Sequence, residues 1–246
     1  MKTRAAFSLV ELLVTIAIIA ILAALSMGGL AAVKNSADNA RCIANLKASG
    51  FAMLQYFADN DGNFFTSKNW FQYPSTKKGV NHGMREYFGI VAENDKDAKI
   101  TDDIFLRDSI LTCPAMKRKY PQLYPQGLNR GYGINYYLQQ KDPHSKYDGQ
   151  PSSERPLLEG SYQRAMNIPR PSATLLLTEA PVNNILLGSV SDDTAKYGEK
   201  YLSLPHNGKQ NAIFFDGHIT ALTVDDFMNP PNPRYFWGSS KLPENN

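Results

Sequence analysis

The stretch Phe7 to Val33, FSLVELLVTIAIIAILAALSMGGLAAV, constrains this chain more than any other. It carries one charge, Glu11, and follows a six-residue segment holding two cations, Lys2 and Arg4. A bilayer is crossed by roughly 20 apolar residues of helix, so the run is long enough to span one. A secretory signal peptide is the alternative, and Ala24-Leu25-Ser26 and Gly29-Leu30-Ala31 resemble its cut sites. Its apolar core is usually about 7–15 residues, shorter than this run. Basic residues flanking a membrane helix stay cytoplasmic, so Lys2 and Arg4 orient the rest of the chain outward.

Glu11 needs an explanation in such surroundings. A carboxylate in hydrocarbon costs on the order of 3 kcal/mol and calls for a partner cation. The simpler alternative is solvation at headgroup level.

Apolar residues continue at Leu30, Val33, Ala37, Ala40, Ile43, Leu46, Gly50, Met53 and Phe57 in steps of three or four. That is one stripe on a helix. The spacing predicts a single helix over Phe7–Ala58, roughly 78 Å long at 1.5 Å per residue. Its first half belongs in lipid or a fibre core and its second half against a globular head. Gly28-Gly29 between them reads as a soft joint, or as a small-residue packing surface. Asp59-Asn60-Asp61-Gly62-Asn63 reads as the turn that stops the helix. An EF-hand loop is excluded there, because Phe64 and Trp70 occupy the places of its Gly and Glu.

Of 246 residues, about 185 follow the helix, a usual size for one domain. The formal charge of +3 falls to +1 when the two cations of the leader are removed. With no basic stripe and interleaved aromatics, nucleic acid is not an expected partner. Cys42 and Cys113 in an outward, oxidising compartment are candidates for a disulfide.

Beyond the helix, Met84–Val91 reads as a short helix, Glu93–Asp103 and Lys141–Arg155 as solvated loops, and Gly131–Leu138 as a strand. Ser161–Asn167 and Ser172–Thr178 read as two more strands, the second buried. Glu179 after it is expected to be a solvated loop carboxylate. Asn211–Val224 reads as a β-hairpin whose two-residue turn is Asp216-Gly217. His206 lies upstream and is expected to hydrogen-bond across that hairpin, with Asp216 making the turn. His and Asp alone supply too few ligands for a typical metal site, so no metal or catalytic residue is assigned. Calcium is left open at Asp192-Asp193 and Asp225-Asp226, without a recognisable loop. Pro230, Pro231 and Pro233 are expected to preclude regular structure in the tail, with Tyr235-Phe236-Trp237 packing back on the head.

The string at Ala6–Leu13, AFSLVELL, resembles the processing site of type IV pilin-like proteins, including type II secretion pseudopilins. The resemblance implies that a prepilin peptidase cuts between Ala6 and Phe7 and that the Phe7 amine is N-methylated. It also implies that Glu11 neutralises the N-terminal amine of a neighbouring subunit. The family prefers Gly before the cut, where this chain has Ala6. His206, a nine-residue gap and Asp216-Gly217 resemble the C-terminal motif of a group of pilin-like proteins.

The implied architecture is α+β. A leader (1–6) precedes an assembly or membrane half of the helix (7–33) and an amphipathic half (34–60). A mainly antiparallel pilin-like head (61–227) and a Pro-rich tail (228–246) follow. The implied protein is a non-enzymatic subunit of a pilus or type II secretion pseudopilus, lodged in the inner membrane with its head periplasmic. Its partners would be the peptidase, homologous subunits and an inner-membrane assembly platform. The alternatives are a Sec-exported binding protein and a membrane-tethered hydrolase using His206.

Overall fold

The computed structural model describes residues 8–64, 86–89, 110–119, 121, 131–135, 164–180, 184–185, 202 and 204–237. Ala6 and Phe7, the charged run 93–103, the loop 141–155, Asp192-Asp193 and the chain from 238 onward lie outside them.

Helix α1 spans Leu9–Asp59, 51 residues without a break, Gly28-Gly29 included. It is about 75 Å long. Asn60 caps it, and Asp61 and Gly62 turn the chain away with φ of 55° and 73°. The stop is the Asp-Asn-Asp-Gly turn that the sequence predicts.

The head is α+β. Its strands are β1 (Tyr132–Asn135), β2 (Leu175–Glu179), β3 (Asn184–Ile185), β4 (Gln210–Phe214) and β5 (Ile219–Leu222). They form one sheet in the order β3-β1-β2-β4-β5. Four strands pair antiparallel, and β3 joins the edge parallel to β1.

Both faces of the sheet are covered, which is why every residue of β2 and β4 is buried and β2 opens on the apolar run Leu175-Leu176-Leu177. Ile213 and Phe215 point to α1, where they meet Leu46, Met53, Phe57 and Phe64. Phe57 stacks on Phe215 with ring centroids 5.5 Å apart. Ala212 and Phe214 point to the opposite face, toward Leu175, Phe227, Phe236 and Trp237. That second layer consists of two short helices, α3 (Val224–Met228) and α4 (Pro233–Trp237). A third, α2 (Pro114–Lys119), lies against α1.

Several expectations are corrected. The tail is helical at α4, because Pro233 occupies its first position, where a missing N–H does no harm. Phe236 and Trp237 do pack on the head, and the Asn135 amide donates to the carbonyls of Leu175 (2.8 Å) and Trp237 (3.0 Å). Of the strand expected at Ser161–Asn167, the described residues 164–167 form none. Arg164 makes a single bridge to Asn63, and Ala165–Asn167 is a 3₁₀ turn. Within Met84–Val91, the described residues 86–89 hold a 3₁₀ turn at Glu86–Phe88.

The hairpin between β4 and β5 forms, but its loop has three residues, Phe215-Asp216-Gly217. Gly217 N donates to Phe214 O and Phe214 N to His218 O. Only Gly217 has positive φ, 89°. The turn with two positive-φ residues lies elsewhere, at Asn207-Gly208 (50° and 79°), clamped by paired His206 and Lys209 backbone bonds of 3.0 Å. Asn-Gly is the favoured dipeptide for that geometry.

The packed stripe of α1 begins later than its apolar pattern. Cys42, Leu46, Ser49, Gly50, Met53, Tyr56 and Phe57 are buried, whereas Ala37 and Ala40 are exposed. Upstream, every described large apolar side chain from Leu9 to Val33 is exposed. No helix is long and apolar enough to cross a membrane among the described residues. The spanning segment expected at 7–33 is therefore not shown among them.

Candidate functional site

Two places concentrate polar chemistry. The first is the start of α1. Ser8 is its N-cap and Glu11 its third residue, and together they form a capping box. Ser8 Oγ accepts from Val10 N at 3.3 Å, and Glu11 Oε2 accepts the Ser8 N–H at 3.0 Å. The pair satisfies donors that every helix N-terminus leaves open. Glu11 Oε1 has no partner among the described residues.

The second lies where α1 meets the sheet. Cys42 on α1 and Cys113, immediately before α2, form a disulfide with Cα atoms 5.0 Å apart. The bridge closes a long loop, and chain entropy makes that worth about 4 kcal/mol. Around it, Tyr132 Oη donates to Cys42 O (3.0 Å) and the Asn45 amide to Thr112 O (2.9 Å). Arg118 on α2 pairs with Asp38 and donates to Asn35 Oδ1 at 2.8 Å.

Beside the disulfide stands Glu179, the last residue of β2, with no exposed surface. It is not the solvated loop carboxylate expected from sequence. Its Oε2 accepts the Asn211 N–H at 2.7 Å, and its Oε1 lies 2.7 Å from His206 Nε2 and 3.2 Å from Asn211 Nδ2. Asn211 Nδ2 also donates to Asn39 Oδ1 on α1, at 2.9 Å. Cys113 Sγ is 3.5 Å from Glu179 Oε1. A disulfide sulfur carries no proton, so that approach is a contact rather than a hydrogen bond.

The Asn207-Gly208 turn aims His206 inward, and its side chain is 9 % exposed. It borders a groove of about 780 Å³ lined by Asn35, Asn39, Arg118, Lys209 and Asn211 among others. A carboxylate that orients a nearly buried imidazole at the edge of a groove can hold a proton, or a metal ion, at a fixed point. No Ser, Thr or Cys nucleophile is hydrogen-bonded to His206 among the described residues, which leaves the hydrolase alternative without a nucleophile there.

The structure does not join His206 to Asp216. His206 bonds Glu179 instead of crossing the β4–β5 hairpin. Asp216 Oδ1 accepts from His218 N (3.1 Å) and lies 2.6 Å from His218 Nδ1. Slight burial pushes the Asp216 carboxyl upward, but these bonds and the nearby imidazole outweigh it and hold the group below its ordinary value. Asp225 and Asp226 serve the start of α3. Asp226 Oδ2 accepts from Thr223 N and Oγ1, both at 2.8 Å, which lowers its carboxyl, and Asp225 Oδ1 accepts from Asn229 at 2.7 Å. Sequence reasoning missed Glu179 and Asn211. The available signal was a carboxylate directly continuing the apolar run Leu175-Leu176-Leu177-Thr178.

No curated protein and no solved structure matches the chain. A family model described as the prokaryotic N-terminal methylation motif matches residues 1–27. The C-terminal His206–Gly217 motif lies outside that match. The chain therefore opens with the prokaryotic N-methylation motif, the N-terminal segment found in precursors similar to type IV pilins and pseudopilins.

Proposed function

We propose that this chain is a structural subunit of a type IV pilus-like or type II secretion pseudopilus fibre. A prepilin peptidase cuts it between Ala6 and Phe7 and methylates the new amine. Before assembly the apolar segment lies in the inner membrane, with Lys2 and Arg4 on the cytoplasmic side and the head outside. The inner-membrane assembly platform then brings subunits together through these segments.

One observation carries this reading. The described apolar side chains before the head are exposed all round α1, Leu12, Leu13, Val14 and Ile16 among them. A helix that is apolar on every side is stable only when something apolar surrounds it. Burial of each such side chain contributes about 1.5–3 kcal/mol, so lipid or neighbouring helices are the preferred surroundings. Within that bundle Glu11 still has Oε1 to offer. A methylated amine of an adjacent subunit is the counter-charge that a buried carboxylate requires.

The test combines a mass and a variant. Intact mass should show a mature chain starting at methylated Phe7. Glu11→Ala should reach the membrane and fail to assemble. A mature N-terminus between Met27 and Ala32, or normal fibre yield from Glu11→Ala, would sink the proposal.

A further inference from the structure

The fibre reading leaves Glu179 and His206 without a task. The bland account is that they brace the fold. Their placement supports more. One donor atom each from Cys42, Cys113, Glu179 and His206 fall within 4.8 Å of one another. A tetrahedral zinc ion holds sulfur at about 2.3 Å and nitrogen or oxygen at about 2.0–2.2 Å, so its ligands stand about 3.3–3.8 Å apart. The cluster is already close to that size. Its donor set, two sulfurs with one imidazole and one carboxylate, suits zinc in kind as well.

Each ligand is carried by an element that fixes it. Cys42 is on α1 in the packed stripe, and Cys113 precedes α2. Glu179 ends a central strand, and its Oε2 stays tied to the Asn211 N–H. His206 is held by the Asn207-Gly208 turn. Such outer hydrogen bonds orient ligands in metal sites. The groove at His206 supplies an entry path.

We infer that Cys42, Cys113, Glu179 and His206 form a redox-gated zinc site, shut while the disulfide stands and open once it is reduced. A dithiol reductant supplies two electrons and two protons and itself becomes a disulfide. The Cys42–Cys113 bond breaks and leaves two thiols. Zinc(II) displaces both thiol protons to solvent and binds the two thiolates. His206, neutral with its ring proton moved from Nε2 to Nδ1, binds through Nε2, and one Glu179 oxygen completes the tetrahedron. The inference stands apart from the fibre proposal, since it concerns the head alone.

Cobalt(II) reports such sites by colour. The full chain in detergent is reduced with a phosphine, freed of reductant under argon and titrated with cobalt(II). The expected result is one ion per chain, with thiolate charge-transfer and tetrahedral d–d bands that zinc(II) abolishes. The oxidised chain should give neither. His206→Gln and Glu179→Gln should each weaken cobalt binding about ten-fold or more, with far-ultraviolet circular dichroism checking that each variant is folded. If reduction unfolds the chain, zinc should restore the helical signal. Absence of the bands in a folded reduced chain would overturn the inference. So would equal binding by the oxidised chain, parental affinity in both Gln variants, or an unfolded reduced chain that zinc leaves unfolded.

Discussion

Replacement of Glu179 separates a bracing carboxylate from an idle one. Two hydrogen bonds of 2.7 Å and one of 3.2 Å converge on its oxygens in a place without solvent. In Glu179→Gln one oxygen remains for the Asn211 N–H. The new NH₂ group then faces His206 Nε2, which can accept if its proton moves to Nδ1. Asn211 Nδ2 loses Glu179 but keeps Asn39 Oδ1. What is lost is charge assistance and one weak bond, about 1–2 kcal/mol. Glu179→Leu offers no acceptor at all. It leaves the Asn211 N–H and His206 buried without a partner, at about 3–5 kcal/mol. Urea unfolding followed by tryptophan fluorescence measures both, since Trp237 is buried in the head. The reasoning fails if Glu179→Leu lies within about 1 kcal/mol of the parent, or if Gln is the more damaging of the two.

Two further outcomes are expected. A methyl group at Gly50 collides with Ile213 Cδ1 inside the core. Gly50→Ala should therefore lose up to about 2 kcal/mol net, an overpacking cost of about 1–3 kcal/mol less a helix-propensity gain of about 1 kcal/mol, and a more stable variant by urea unfolding would contradict the packing. Burial, then the nearby Tyr87, pushes the Tyr56 phenol up to about 12. The folded chain keeps that proton longer than the unfolded chain, so stability is intact below pH 10 and falls by about 3 kcal/mol as pH climbs toward 12. Tyr56→Phe should flatten this alkaline limb in the same unfolding assay.

Local signals were legible because they need only near neighbours. The α1 periodicity, its Asp-Asn-Asp-Gly stop and the buried β2 run all follow from residues a few positions apart. The candidate site was not legible for the opposite reason. Glu179 meets His206 and Asn211 only because β2 pairs with β4, placing Thr178 opposite Ala212. Nothing in the spacing of His206 and Asp216 shows that the chain turns at Asn207-Gly208, and so points the imidazole at another strand. The turn at Asp216-Gly217 misled in a related way. Asp-Gly fits both a two-residue loop and a three-residue one with glycine last, and strand register decides between them.

The helix divides its labour at Asp38. From there to Ser49, its bonds to the head are unlike one another: a disulfide at Cys42, an ion pair at Asp38, and amide or hydroxyl bonds from Asn39, Asn45 and Ser49. The core stripe then runs from Leu46 to Phe57. A greasy contact tolerates sliding, because apolar surface carries no direction. Hydrogen bonds and a covalent bridge do not, so the polar collar sets the register that the apolar stripe leaves free. Before Asp38 the described helix is tied to the head at Asn35, which accepts from Arg118 on α2 and belongs to the same collar. A pull on the N-terminal segment therefore reaches the head first at the collar, where the disulfide and the Glu179 network lie side by side. That is where a change of redox state would alter how the rod is held.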